Sequence, residues 1–287
     1  MDNRNSIQII KSERLNMGGT IVKQPLPHPQ LQQASPFLLL HHFGPDKVAP
    51  GHDPLGVGPH PHRGFEPVTF LYSGGIEHKD SRGNVGQLTG GDVQWMTAGL
   101  GIIHSEMASA KFLAEGGTME GIQLWVNLRK QDKMTQPDYQ DIKSEQIPTA
   151  MSEDGAIQVR VVAGTWRELT GPAHTFTPIQ AIQLFAQQDG TVDIETPTDH
   201  QVIVYVLNGE ISLNSGTVVG NESLVRMDQS GERTILQLKE GSRVLYLAGA
   251  IIDEPVAQWG PYVMNTQTEI MEAMRDYQMG KMGVYIP

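Results

Sequence analysis

The residues best suited to chemistry fall in two short stretches, His60-Pro61-His62-Arg63-Gly64-Phe65-Glu66 and His104-Ser105-Glu106. Each sets two donor side chains at positions i and i+2. On a β-strand alternate side chains point to one face, so each pair can aim at one point. His60, His62, His104 and Glu106 together offer three imidazoles and one carboxylate. Such a set suits a mid-to-late first-row divalent metal and leaves coordination positions for water or substrate. Spacing alone leaves the metal open among Mn, Fe, Co, Ni, Cu and Zn, with raw affinity highest for Cu.

The other histidines have plainer readings. His28 and His52 sit in Pro- and Gly-rich loops and are expected to be solvated. His78 alternates with charged neighbours and is placed on an outer face. His41 and His42 adjoin an apolar run and cannot both point inward, so either could line the site. His174 and His200 have no partner at ligand spacing. Trp95 and Trp125 are read as core, and the methionines near the C-terminus as helix packing. No P-loop, dinucleotide fingerprint or nucleophile elbow is present.

These donors need strands to carry them, and the sequence supplies them. Phe37 to Phe43 reads as a buried strand. From Glu66 onward, Val68–Tyr72, Ile76–Ser81, Val85–Leu88, Val93–Met96 and Ile102–His104 recur at roughly ten-residue spacing between glycine turns. Gly121–Leu128 continues the pattern. Lys130 to Pro148 is polar and reads as a linker. A second β-rich region follows, clearest at 157–162, 181–185, 202–206 and 244–247. Thr69-Phe-Leu-Tyr-Ser-Gly-Gly-Ile echoes Val204-Tyr-Val-Leu-Asn-Gly-Glu-Ile, and Gly90-Gly91-Asp92-Val93 is matched to Glu240-Gly241-Ser242-Arg243. The echoes suggest a duplicated β-fold. Thr266 and Glu269 form a capping box ahead of Ile270, Ala273, Met274 and Tyr277, which predicts a short amphipathic helix.

Composition bounds the rest. The chain has 287 residues, 39% hydrophobic and 18% charged, with a formal net charge of −11 and no cysteine. Length and balance allow one large or two ordinary globular domains. Acidity argues against direct nucleic-acid binding and against an anionic membrane surface. Disulfides are excluded, and any metal must take N and O ligands. No signal-peptide core and no apolar run of membrane-spanning length occurs, so a soluble, cytoplasmic protein is expected.

The stretches PHPHRGFEPVTFLYSGG at 59–75, GGDVQWMTAGLGIIHSEM at 90–107, GIQLWVNLR at 121–129, KSEQIP at 143–148 and GPYVMNT at 260–266 resemble the pirin family, bicupins of the cupin superfamily. The resemblance spans nearly the whole chain. It implies an all-β fold of two antiparallel β-barrel (cupin) domains face to face, with a C-terminal helix packing back. Residues 1–140 would be the metal-binding cupin, and 141–287 a metal-free cupin ending in the helix. It implies one Fe(II) per chain, held by His60, His62, His104 and Glu106. The general cupin pattern takes its carboxylate from the first motif, which makes Glu66 the second choice. That pattern also expects Pro-x-Gly-x-x-His, where this chain has Thr97-Ala98-Gly99 and a longer gap to His104, as in pirins. Arg63 and Glu66 could support the ligands, a structural role being equally open. His41 stands where bacterial pirins usually carry Asp.

Several pirins resemble quercetin 2,3-dioxygenase in activity, so the expected function is oxidative cleavage of a flavonol, with Glu106 as the catalytic proton acceptor. The expected partners are a small aromatic substrate and O2, and the expected state is a monomer. The alternative is a non-catalytic, iron-dependent redox sensor or transcriptional co-regulator acting through protein partners, as eukaryotic pirins do. A third reading is another cupin reaction on an unidentified metabolite. A deep apolar pocket over the metal would favour an enzyme. A closed metal site beneath a charged surface would favour a sensor.

Overall fold

The computed structural model describes residues 2–17, 19–213 and 215–286. Strands dominate. In chain order they begin β1 (Ser6–Lys11), β2 (Glu13–Met17), β3 (Thr20–Leu26), β4 (Phe37–Val48), β5 (Val57–His62), β6 (Phe65–Ser73) and β7 (Gly75–Asp80). Next come β8 (Val85–Thr89), β9 (Val93–Thr97), β10 (Ile102–Ala108), helix α1 (Ala110–Glu115), β11 (Gly117–Asn127) and β12 (Asp138–Ile142). The later strands are β13 (Thr149–Met151), β14 (Ile157–Ala163), β15 (Thr165–Trp166), β16 (Leu169–Thr170), β17 (Ile179–Ala186), β18 (Gly190–Glu195) and β19 (His200–Asn208). They continue through β20 (Glu210–Leu213), β21 (Val218–Gly220), β22 (Ser223–Met227), β23 (Arg233–Leu238) and β24 (Arg243–Ala250). Last are β25 (Ala257–Trp259), β26 (Tyr262–Met264) and helix α2 (Gln267–Gln278).

The chain divides into two compact units. One comprises residues 1–13, 23–36 and 145–251, the other 14–22, 37–144 and 252–287. The division does not follow chain order. The C-terminal stretch with α2 belongs to the unit that carries the candidate ligands, and the N-terminal strand β1 belongs to the other. Each unit has a seven-stranded and a four-stranded sheet. The orders are β12-β9-β6-β11-β4-β3-β2 and β5-β10-β7-β8 in one, and β1-β22-β19-β24-β17-β14-β13 and β18-β23-β20-β21 in the other. Among the described residues the pairings form open sheets, without a closed ring of strands. Eight successive strands, β4 to β11, occupy the same places as β17 to β24, so the fold is duplicated.

The first sequence echo is structural. Gly74 between β6 and β7 and Gly209 between β19 and β20 turn the chain at φ +104° and +84°, a region where a side chain is strained. The second echo fails. Gly91-Asp92 leads into β9, whose counterpart is β22, whereas Gly241-Ser242 leads into β24.

Residues 130–148 are not a linker. They contain β12, which pairs with β9 at the edge of the sheet. They also contain Lys133, whose ammonium is buried and donates to the Gly64 carbonyl at 2.8 Å, Asn127 Oδ1 at 2.7 Å and the Val263 carbonyl at 3.0 Å. A lysine with three acceptors can be buried, and polarity alone misplaced it. The short helix α1, capped by Ser109, was not expected either. Helix α2 has the predicted capping box between Thr266 and Glu269. It buries Ile270 and Ala273, while Met274 and Tyr277 remain partly exposed. Met271 and Met279 are exposed rather than packed, whereas Met264 and Met282 are core residues. No helix among the described residues is long and apolar enough to cross a membrane.

Candidate metal centre

Strand register gathers the three histidines. β5 and β10 are antiparallel neighbours, with His60 opposite His104 and His62 opposite Ile102. Opposed residues share a face, as do residues two apart on one strand. The ligand nitrogens of His60, His62 and His104 consequently lie within 4.8 Å of one another. The His60 ring centroid is 4.3 Å from that of His104 and 4.7 Å from that of His62.

Hydrogen bonding settles which nitrogens are free. His60 Nδ1 donates to the Gly58 carbonyl at 2.9 Å, which leaves a lone pair on Nε2. That Nε2 is 3.0 Å from His62 Nε2. Two nitrogens at right angles about a first-row ion, with bonds of about 2.1 Å, would sit about 3.0 Å apart, against about 3.4 Å for a tetrahedron. His104 Nε2 is buried with no hydrogen-bond partner. Both observations fit a divalent cation held by the three imidazoles. Burial, reinforced by the neighbouring imidazoles, pushes His62 and His104 well below the usual histidine range. Both rings are neutral and offer lone pairs.

Glu106 lies two residues beyond His104, but the close cluster comprises the three histidines alone. A register shift between His104 and Glu106 sets Glu106 opposite Val57, a bulge of the kind found beside active sites. Its carboxylate lines the same pocket as His60 and His62. Gln123 Nε2 donates to its Oε1 at 3.2 Å and Oε2 at 3.0 Å, and Thr69 Oγ1 donates to Oε1 at 3.1 Å.

Glu66 faces the other way. On β6, Thr69 points into the pocket, so Glu66, an odd number of residues away, points through the opposite face of the sheet. It is fully buried, accepts a hydrogen bond from Thr97 Oγ1 at 2.9 Å and leaves Oε2 unpaired. Burial raises its carboxyl to about 7, against the pull of the Thr97 hydrogen bond. Arg63 also turns away from the histidines. Its Nε donates to the Leu100 carbonyl at 2.6 Å and its Nη1 to Asp276 Oδ2 at 3.1 Å on α2.

His78 is where the sequence reading erred. It is buried, and its Nδ1 is 3.4 Å from His104 Nδ1. On β7 the residues Ile76, His78 and Asp80 point inward, while Glu77 and Lys79 pair with each other at 3.1 Å on the outside. The charged neighbours were the alternation signal that places His78 inside. Tyr139 of β12 packs edge-on against its ring, with centroids 4.6 Å apart.

Above the histidines opens a pocket of about 450 Å³. Its apolar wall includes Val22, Leu39, Phe43, Leu55, Ile76 and Trp125. Trp125, expected in the core, instead forms part of this wall, tilted against Phe65 with centroids 4.3 Å apart. Trp95 is core. His41 lines the pocket and His42 faces away to Glu120, Nε2 to Oε1 3.2 Å. Burial lowers His41 to about 4, so it is a neutral polar group in an apolar wall. Among the described residues the lining contains no Lys or Arg.

The counterpart strands of the other unit carry no such donors. The inward residues of β18 and β23 are Val192, Ile194, Thr234, Leu236 and Leu238. They belong, Thr234 apart, to a core with Val204, Val225 and Tyr246. His200 Nδ1 instead meets Asp199 at 2.9 Å.

Known proteins match this chain along most of its length. A family model described as Pirin matches residues 19–126, and one described as Pirin C-terminal cupin domain matches residues 181–283. A Pseudomonas aeruginosa protein provisionally named a quercetin 2,3-dioxygenase is 39% identical over 250 residues, 87% of each chain. Pirin of Rattus norvegicus is 35% identical over 97% of this chain and 93% of its own. The crystal structure of a quercetin 2,3-dioxygenase from Acinetobacter baumannii is 36% identical with a TM-score of 0.93, covering 99% of this chain and 100% of that one. The all-β architecture, the duplicated sheets and the histidine cluster agree with these matches: the chain belongs to the pirin family, with a cupin fold.

Proposed function

We propose that this chain is an iron-dependent dioxygenase that cleaves a flavonol such as quercetin. The observation that carries this reading is the apolar pocket of about 450 Å³ onto which His60, His62 and Glu106 open. A pocket of that size and character suits a small aromatic molecule, whereas a redox sensor needs no cavity over its metal. The likeness to proteins named quercetin 2,3-dioxygenase supports the same reaction. In this reading each pair of sheets is a cupin barrel, and the one bearing His60, His62 and His104 is the metal site.

Those three histidines and a Glu106 oxygen would hold Fe(II), the choice of iron resting on the family. When bound, the metal supplies Lewis acidity and a template for substrate and O2. The protein supplies the rest. Leu39, Phe43, Ile76 and Trp125 take up the aromatic rings and displace water. Glu106 accepts the proton of the substrate's 3-hydroxyl, a role within reach of a carboxylate beside the histidines. Gln123 and Thr69 aim that carboxylate. A wall without cations favours an uncharged substrate, and neutral His41 offers it a hydrogen bond. Both atoms of O2 would end in the carboxylic ester product, one on each of the ring carbons that flanked carbon 3. Carbon 3 leaves as carbon monoxide with its own former hydroxyl oxygen, and the proton held by Glu106 passes to the new carboxylic acid.

The test is oxygen uptake with quercetin after anaerobic loading with Fe(II), beside a His104→Ala control. Turnover that disappears in the control supports the proposal. Stoichiometric iron without turnover on any flavonol rejects it.

A further inference from the structure

We propose that the C-terminal segment is a positioning device for the metal site, with Tyr285 and Asp276 as its positioning residues. The inference rests on the reading of His60, His62 and His104 as metal ligands.

Residues next to the ligands on both strands are tied to this one segment. Ser105 sits between His104 and Glu106, so alternation turns it to the opposite face of β10. There it is buried, and its Oγ is 2.7 Å from the Tyr285 hydroxyl. Ile103, just before His104, donates its N–H to Ser81 Oγ at 3.2 Å, and Ser81 Oγ donates to the Met282 carbonyl at 2.7 Å. On the other ligand strand Arg63 follows His62. Its guanidinium reaches Asp276 at 3.1 Å, and its carbonyl accepts from Val263 N at 3.0 Å.

The approach is close enough to demand glycine. A Cβ at Gly101 would come within 2.8 Å of Met282, and one at Gly64 would collide with the Val263 carbonyl. Lys133 then bridges the Gly64 and Val263 carbonyls. His62 on β5 and His104 on β10 are thus each flanked by a residue anchored to residues 262–285. Displacement of that segment would change the spacing of the ligand pairs even though it touches none of the histidines in these bonds.

A stabilising role alone would alter melting temperature without altering the metal's surroundings. The probe is Co(II), whose visible bands report ligand geometry. Tyr285→Phe and Ser105→Ala each remove one hydroxyl from the tie and leave the ligands in place. We expect each to weaken Co(II) binding about tenfold, measured by chelator competition, and to shift its visible bands. The double variant should be no weaker than either single, because both act through one bond. Wild-type Co(II) affinity and spectrum in both single variants, whatever their melting temperatures, would overturn the positioning role alone. A wild-type chain that binds no Co(II) or Fe(II) would overturn the metal-site reading and this inference with it.

Discussion

The Nδ1 atoms of His104 and His78 lie 3.4 Å apart, with both rings buried. His104 Nε2 is unpartnered. If that nitrogen binds metal, Nδ1 carries the proton and His78 Nδ1 receives it, which fixes the tautomer and orientation of His104. His78→Ala should weaken metal binding about 10- to 100-fold, read by chelator competition. Wild-type affinity in that variant would remove His78 from the site.

Glu66 tests the choice of carboxylate. It faces away from the histidines, so Glu66→Gln should keep the metal, checked by metal analysis of the purified chain. Loss of metal would mean that the wrong carboxylate was assigned.

The same residue predicts a pH dependence. Its carboxyl is raised from 4.5 to about 7 by burial. Between those values the folded chain holds a proton that the unfolded chain releases, so stability is full below about 4.5 and falls as pH rises to about 7. At 1.36 kcal/mol per unit the loss is about 3 kcal/mol. Glu66→Gln should flatten this part of the profile in denaturant titrations. An unchanged slope would assign the dependence elsewhere.

His41 tests the pocket. As a neutral hydrogen-bonding group in an apolar wall, it should contribute to substrate affinity and leave the metal alone. His41→Leu is expected to lower kcat/KM for quercetin by about tenfold, the value of one good hydrogen bond, at unchanged metal content. An unaltered kcat/KM would show that substrate binds elsewhere in the cavity.

Gln123 tests the aim of Glu106. Gln123→Leu removes two of the three bonds that orient the carboxylate. The expected result is a fall of about tenfold or more in kcat with metal still bound. A change confined to KM would argue that Gln123 serves substrate binding instead.

Much of this was legible in the sequence because it is encoded in a period of two. The i, i+2 spacing of His60 and His62 places both on one face, and the echo at Gly74 and Gly209 reports the duplication. The misses have physical causes. Charged neighbours suggest an outer face for His78, although alternation with Glu77 and Lys79 turns it inward. Lys133 reads as linker because a buried ammonium needs acceptors from distant parts of the chain, which no local pattern reveals. Trp125 sits on a cavity wall, and a cavity depends on what the opposite side leaves unfilled. The join of residues 252–286 to the ligand-bearing unit is a long-range packing choice, invisible to periodicity.

The most direct test of the central claim compares oxygen consumed with carbon monoxide released by the Fe(II)-loaded chain on quercetin, for the wild type and for Glu106→Gln. The account predicts one carbon monoxide per O2 in the wild type and loss of most turnover in the variant. Oxygen uptake without carbon monoxide, or full turnover without the Glu106 carboxylate, would contradict it.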